Sequence, residues 1–229
     1  MISSDWLDIL PEILFAGGGL SIFCLGAFWK RRSSKLLPAL ALLTVLLAGW
    51  ATIFFDQGNL RFLGMLDTGD YGRFFRGLIT VITLITLLFS YSYMKIRGLS
   101  RDETYGLILF AGAGMMLVAG SVHWLSFFLG FEILSLSFYV LIAIRKGDPL
   151  SNEAGVKYFM MGAVASGFLV FGIAILYAIT GETEIARSVS EGVRASAIPA
   201  VLLGLGLIVV ALGFKTSLVP FHLWTPDVY

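Results

Sequence analysis

Cysteine is nearly missing from this sequence of 229 residues. The single cysteine, Cys24, excludes an internal disulfide and any metal cluster held by thiolates of this chain alone. A haem-attachment motif, a glycine-rich dinucleotide fingerprint and a phosphate-binding loop are missing as well. We therefore expect no redox cofactor, no metal ion and no covalent catalytic residue in this chain.

Charged residues are also scarce. They make up 14 % of the chain, whereas soluble domains contain roughly 25 %. Hydrophobic residues reach 58 %, and the mean hydropathy is +0.89. One aqueous globule cannot bury so much apolar surface, so the composition predicts an integral membrane protein with the lipid bilayer as its surroundings. The net charge of +1, without a basic cluster, indicates no nucleic-acid partner.

Long apolar runs predict an all-α, polytopic transmembrane helix bundle of about seven spans. The runs cover 12–29, 36–55, 77–94, 104–120, 124–143 and 153–179, and the seventh starts near Ile198. The first residues, MISSDWLDILPEILF, contain acids where a cleavable signal peptide has lysine or arginine. We therefore expect the first run to be retained as a span.

Lysine and arginine are more frequent on one side of the predicted membrane than on the other. The turns after spans one, three and five contain Lys30, Arg31, Arg32, Lys35, Lys95, Arg97, Arg101, Arg145 and Lys146. The opposite turns contain Arg61, Arg73, Arg76, Arg187 and Arg194, mixed with acids. Because cytoplasmic loops carry the excess of basic residues, we expect the first group in the cytoplasm and the N-terminus outside, where Asp8 and Glu12 are tolerated.

Two ionisable residues lie inside the fifth and sixth runs. Glu132 is near the middle of its run, and Ser135 and Tyr139 share its helix face. A charge at a helix centre costs about 2.5–3.5 kcal/mol on insertion scales, so such groups normally face a bundle interior or a hydrated cavity. Glu132 is either a proton-transfer residue or a structural carboxylate joining two helices. Lys157 lies four residues after Glu153, so a surface ion pair or a snorkelling side chain competes with a proton-transfer role.

The third such residue, Lys215, lies in the stretch GFKTSLVPFHLW, five residues before Pro220. Proline removes one backbone hydrogen bond and frees the carbonyl of Thr216. Freed backbone in lipid must be buried in protein or must line water, and a broken helix beside a titratable side chain is a recurring ion site in transporters. The pattern predicts a seventh span broken near Pro220, with Lys215 as a proton-transfer residue or, alternatively, a snorkelling lysine. His222 follows the break and is either a proton relay or a structural residue.

Two further polar residues are interpreted as structural. His123 lies in a short outer link beside Trp124, and we expect it to act as an interfacial anchor. Asp227 follows Thr225 and Pro226, and we expect it to be a cap or turn residue.

Three stretches together resemble a known family. They are GFKTSLVPFHLWTPDVY, FEILSLSFYVLIA and EAGVKYFMMGAVASGFLVFGIAILYAITG. They are similar to the antiporter-like membrane subunits of respiratory complex I, the proton-pumping NADH:quinone oxidoreductase, in the form found in subunit N. The resemblance extends over essentially the whole chain and is most specific over 125–229.

The resemblance implies roles for four residues and an organisation for the chain. Glu132 resembles the glutamate of the family's fifth helix, Lys157 the lysine of the sixth, and Lys215 the lysine of the first broken helix, with His222 just beyond the break. The family has two inverted five-helix repeats. We therefore expect an N-terminal three-span accessory bundle at 1–103 and a first antiporter-like repeat at 104–229 that is incomplete at its C-terminus, as in an N-terminal fragment.

The function implied is proton relay through Glu132, Lys157, Lys215 and His222 in a multi-pass protein of the bacterial cytoplasmic (inner) membrane. Lys215 and Glu132 would titrate as a coupled pair. NADH, FMN, iron–sulfur clusters and quinone are expected in partner subunits, and the other membrane subunits are the expected partners. The alternatives are a stand-alone cation/proton antiporter subunit, a purely structural membrane scaffold and, more remotely, a quinone-binding subunit.

Overall fold

Helices dominate the computed structural model, which describes residues 6–28, 35–54, 61–97, 103–145 and 147–228. The elements are α1 (Leu10–Phe28), α2 (Leu36–Phe54), β1 (Arg61–Phe62), β2 (Leu66–Asp67), α3 (Asp70–Arg97), α4 (Glu103–Gly120), α5 (Trp124–Ile142), α6 (Pro149–Thr180), α7 (Ile185–Arg194), α8 (Ile198–Lys215) and α9 (Thr225–Val228). The all-α prediction is confirmed, with one short antiparallel hairpin added. The basic residues at 30–32, 101 and 146, which supported the predicted orientation, lie outside the described residues.

Six of the described helices, α2 to α6 and α8, are long and apolar enough to cross a membrane. The shorter helix α1 is apolar over Leu10–Gly26. All seven apolar runs of the sequence therefore form helices, and the chain is a multi-pass membrane protein. One boundary was wrong: α3 begins at Asp70 rather than at 77, so Arg73 and Arg76 lie inside a helix and not in a turn.

The first compact unit comprises Met1–Ser121 and Leu129–Leu141. Its apolar core includes Phe15, Val45 and Leu109, each fully buried. Helix α4 crosses α5 closely at Gly114, where an added Cβ would lie 2.8 Å from the carbonyl oxygen of Gly130. Small residues permit this approach, because helices in lipid associate through close packing rather than through the hydrophobic effect.

The second compact unit comprises Val122–Phe128 and Ile142–Tyr229. Its longest helix, α6, begins after Asp148, whose carboxylate accepts a hydrogen bond from the backbone N–H of Leu150 at 3.1 Å. It ends at Gly181, which adopts the left-handed conformation with φ 68°. Helix α6 packs against α8. The domain boundary predicted between residues 103 and 104 from the family repeat stays a prediction.

The segment 122–128 is joined to the region of α7 by side-chain hydrogen bonds. Trp124 Nε1 donates to Ser188 Oγ at 2.8 Å, and His123 Nδ1 lies 2.9 Å from Thr183 Oγ1. These contacts hold the N-terminal end of α5 against the connection between α6 and α8. His123 thus has a defined polar partner in the unit to which it belongs.

The predicted break in the seventh span is present. Helix α8 ends at Lys215, residues 216–224 form successive turns, and the short helix α9 follows. The chain leaves the helix one turn before Pro220, because Ser217 adopts a left-handed conformation with φ 55°. The Leu218 N–H then returns to the Gly213 carbonyl at 2.8 Å. Proline therefore does not itself end the helix; it lies within the turns that follow.

Candidate functional site

Lys215 lies at the C-terminal end of α8 and is half-buried. Its Nζ donates a long hydrogen bond of 3.4 Å to the hydroxyl of Tyr158 on α6. The same Nζ lies 5.1 Å from the centroid of the Tyr158 ring. A cation within about 6 Å of an aromatic centroid is attracted by the negative face of the ring. The ammonium group is thus held at the surface of an aromatic side chain where the helix ends.

Tyr158 belongs to a cluster of three buried aromatic rings. The ring centroids of Tyr158 and Trp224 are 4.5 Å apart, and those of Phe214 and Trp224 are 5.4 Å apart. All three side chains are almost fully buried. The cluster links α6, the end of α8 and the turns after the break, and its offset geometries are those that aromatic pairs prefer.

Trp224 also satisfies a carbonyl at the end of α8. Its Nε1 donates to the Phe214 carbonyl oxygen at 3.0 Å, a buried contact. The last carbonyl groups of a helix have no partner inside that helix, and in a membrane they need one within the protein. The indole is a donor to this carbonyl in addition to the Ser217 N–H at 3.2 Å, so the turns after the break fold back onto the helix that they follow.

Replacing Trp224 by phenylalanine tests this contact. The variant keeps an aromatic ring against Tyr158 but removes one donor to the Phe214 carbonyl, which still accepts from the Ser217 N–H at 3.2 Å. A typical hydrogen bond contributes about 0.5–1.5 kcal/mol. We expect a lower thermal midpoint for the purified protein. Trp50→Phe makes the same chemical change at a tryptophan that is 50 % exposed, and should leave the midpoint unchanged. Equal midpoints for Trp224→Phe and the unaltered protein would contradict the role of the indole donor.

Lys157 on α6 contacts two carboxylates, one on α6 and one on α9. Its Nζ lies 2.8 Å from Glu153 Oε1 and 3.0 Å from Asp227 Oδ2. The helix-surface pair with Glu153 was one of the two interpretations of this lysine. The contact with Asp227 was missed, because that residue was interpreted only as a cap or turn. No sequence signal marks this pair, because the two residues are separated by 70 positions.

His222 is half-buried in the turns after the break. Within the described part of the chain, its Nδ1 is buried and has no hydrogen-bond partner. Nearby, Thr225 Oγ1 donates to Ser217 Oγ at 3.0 Å, which closes the turns on the side of α9. A histidine with one unbonded ring nitrogen can accept a proton, so both a relay role and a structural role stay open for His222.

Glu132 lies on α5 and is half-buried, within the first compact unit. The polar helix face predicted from the spacing is present, because Ser135 and Tyr139 are both buried. Lys157, Lys215 and His222 belong to the second unit. Lys215 contacts the Tyr158 side chain and Lys157 precedes Tyr158 in the chain, whereas the electrostatic pairing of Glu132 with Lys215 stays a prediction. Among the described residues, no group of three or more His, Cys, Asp or Glu could hold a metal ion.

A known family matches the part of the chain that contains these motifs. Residues 121–229 match the family described as "NADH:quinone oxidoreductase/Mrp antiporter, TM". The predicted resemblance is confirmed. The matched region contains Glu132, Lys157, Lys215, His222 and the helix break at 216–224.

Individual relatives extend the similarity beyond this region. NADH-quinone oxidoreductase subunit N 1 of Thermodesulfovibrio yellowstonii is 40 % identical over 222 residues, which are 96 % of this chain and 47 % of the relative. Subunit N of Desulfitobacterium hafniense is 37 % identical over 232 residues, which cover 100 % of this chain and 47 % of the relative. The chain therefore spans about half the length of the curated relatives that it matches.

A solved structure shows the same fold. Respiratory complex I from Thermus thermophilus with bound aureothin contains a chain that is 31 % identical, with a TM-score of 0.76. The match covers 96 % of this chain and 47 % of that chain. The helix bundle described above is therefore one found in a membrane subunit of a multi-subunit respiratory complex.

Proposed function

We propose that this chain acts as an antiporter-like membrane subunit of a proton-translocating NADH:quinone oxidoreductase. The observation that carries the proposal is the similarity to subunit N along the whole chain, at 40 % and 37 % identity. NADH, FMN, iron–sulfur clusters and quinone would be held by partner subunits, and other membrane subunits would flank this one. The site would lie in the bacterial cytoplasmic membrane, with the N-terminus outside.

In this function Lys215 holds and releases a proton. Its ammonium group is placed at the break, against the ring and hydroxyl of Tyr158. An opposite charge favours the protonated form of a lysine, and we propose that the Glu132 carboxylate has this role. Each pK unit of coupling is worth about 1.4 kcal/mol, and moving one charge against 100 mV requires about 2.3 kcal/mol. A change of a few pK units is therefore large enough to drive the transfer.

Lys157 would be the neighbouring carrier. It lies next to Tyr158 in the chain and is fixed by Glu153 and Asp227. Because Asp227 is on α9, this ion pair also holds the segment after the break against α6. Lys157 would thus carry a proton and, while it is charged, also hold α9 against α6 through Asp227.

Neutralising each partner of the Lys157–Asp227 pair separates these two roles. Lys157→Gln is expected to lower proton pumping by the assembled complex, whereas Asp227→Asn is expected to lower it less. Neither should change thermal stability much, because ion pairs at this exposure contribute about 0–1 kcal/mol. Arg145→Gln, which breaks the similarly exposed Arg145–Asp148 pair at 3.2 Å, is the matched control. Normal pumping in Lys157→Gln would remove this lysine from the relay.

The second candidate function is a stand-alone cation/proton antiporter subunit, because the matching family also includes Mrp antiporters. The discriminating experiment measures cation-dependent proton flux in vesicles that contain the full-length subunit without its partners. Flux under these conditions supports the antiporter. Flux that requires the assembled complex and NADH oxidation supports the complex I function.

A further inference from the structure

A second group of charged side chains is buried in the first compact unit, where α1 and α3 begin and α2 ends. Arg76 Nε on α3 donates to Glu12 Oε1, in the first turn of α1, at 2.6 Å. The two side chains are only 8 % and 7 % exposed. Both residues were expected near the aqueous boundary, so their burial against each other is a finding of the structure alone.

This ion pair is incompletely bonded. Within the described residues, Glu12 Oε2 and Arg76 Nη2 are buried and have no hydrogen-bond partner. An unbonded polar atom is costly in a buried site, and more so when it belongs to a charged group. Ordered water is the usual partner that completes such groups in proteins. The pair therefore requires a further acceptor and a further donor that the described side chains around it do not supply.

A cavity of about 20 Å³ lies beside the pair, and Arg76 forms part of its wall. A water molecule needs roughly 10–15 Å³ and two to four polar partners. The wall also includes Asp8, Thr68 and Arg73, and Asp8 and Thr68 are almost fully buried. The cavity thus has the volume and the polar lining for one water molecule.

The charges around the cavity indicate which kind of molecule it can bind. Two carboxylates, Asp8 and Glu12, stand with two guanidinium groups, Arg73 and Arg76, so the cluster is neutral overall. A neutral cluster has no net attraction for a phosphate or for a metal cation. A small neutral molecule that both donates and accepts hydrogen bonds fits it best.

We infer that the cavity binds a water molecule to which the Arg76 guanidinium donates. The hydrated cluster of Asp8, Glu12, Arg73 and Arg76 is a second polar site of this chain, built from residues outside the proposed proton relay. It joins the start of α1 to the start of α3 beside the end of α2, since Ala51 and Thr52 of α2 complete the cavity wall.

Hydroxyl-radical labelling with X-ray pulses tests the inference on the assembled complex, because radicals formed from a bound water react with the side chains beside it. Pro11 is buried and lines the cavity, whereas Leu37 is also buried, at 5 % exposure, but lies in the apolar core of the same unit. We expect Pro11 to be oxidised several times faster than Leu37. Arg76→Met should reduce the rate at Pro11 to that of Leu37.

A milder variant keeps the test decisive if Arg76→Met does not assemble. Thr68→Val retains the shape of the cavity wall but removes one polar group, and it should also slow the labelling of Pro11. Glu103→Gln, which alters an exposed glutamate in the first turn of α4, should leave the labelling unchanged. Equal rates at Pro11 and Leu37 in the unaltered complex, or a Pro11 rate that neither Arg76→Met nor Thr68→Val lowers, would overturn the inference.

Discussion

Replacing Lys215 by methionine is expected to abolish proton translocation by the assembled complex. Methionine fills a similar volume but cannot hold a proton, and a positioned proton-transfer group typically contributes a factor of about 100 or more. The measurement is the proton gradient formed per NADH oxidised in vesicles containing the complex. Assembly and uncoupled NADH oxidation are followed in the same samples.

Two companion variants sharpen this prediction. Lys215→Arg keeps a cation over the Tyr158 ring but cannot release its proton, because guanidinium is always charged in proteins. We therefore expect it to pump as poorly as Lys215→Met. Lys95→Met removes an exposed lysine at the end of α3 and should pump normally. Normal pumping by Lys215→Arg would refute proton release at this position and would favour a structural cation.

Adding a methyl group at Gly172 is expected to destabilise the second unit strongly. In Gly172→Ala the new Cβ would lie 2.6 Å from the Gly204 carbonyl oxygen and 2.8 Å from Ile208 Cγ1. The carbonyl belongs to the α8 backbone and cannot rotate away, so α6 and α8 must separate. Overpacking of this kind costs about 1–3 kcal/mol and sometimes more. The thermal midpoint of the subunit in the purified complex should fall.

The matched control for this prediction is Gly167→Ala on the same helix. No atom lies within 4 Å of a Cβ added at Gly167, and alanine is the better helix former by about 1 kcal/mol. Its midpoint should be unchanged or higher. A midpoint for Gly172→Ala equal to that of Gly167→Ala would show that the crossing of α6 and α8 is looser than described.

The sequence predicted those features of the fold that depend on local pattern. Apolar length located the helices, since a membrane span needs about 20 apolar residues wherever it occurs. Pro220 predicted a break nearby, because a proline removes one backbone hydrogen bond of a helix, although the helix already ends at Lys215. The position where α8 ends was not predictable in the same way. It depends on the backbone of Ser217 and on the indole of Trp224, which reaches back ten positions to the Phe214 carbonyl.

The sequence analysis predicted none of the ion pairs between residues that are distant in the chain. Arg76 was counted among the basic residues of a turn, yet it pairs with Glu12, 64 positions away. Asp227 was interpreted as a cap, yet it pairs with Lys157. In both cases only the packing of the helices shows which opposite charge the residue meets. Residue type and spacing identified Lys215 and Glu132, because an ionisable group within an apolar run is unusual in itself.

The length of α6 has a consequence for the path of a proton. At 1.5 Å per residue, its 32 residues extend about 48 Å, well beyond the roughly 30 Å thickness of the hydrocarbon layer. The helix must therefore tilt or project at one end. Lys157 is eight positions after Pro149, about 12 Å along the axis. Where the N-terminal end is the one that projects, Lys157 lies close to the lipid headgroups, and a proton entering from that side meets its ion pairs with Glu153 and Asp227 first.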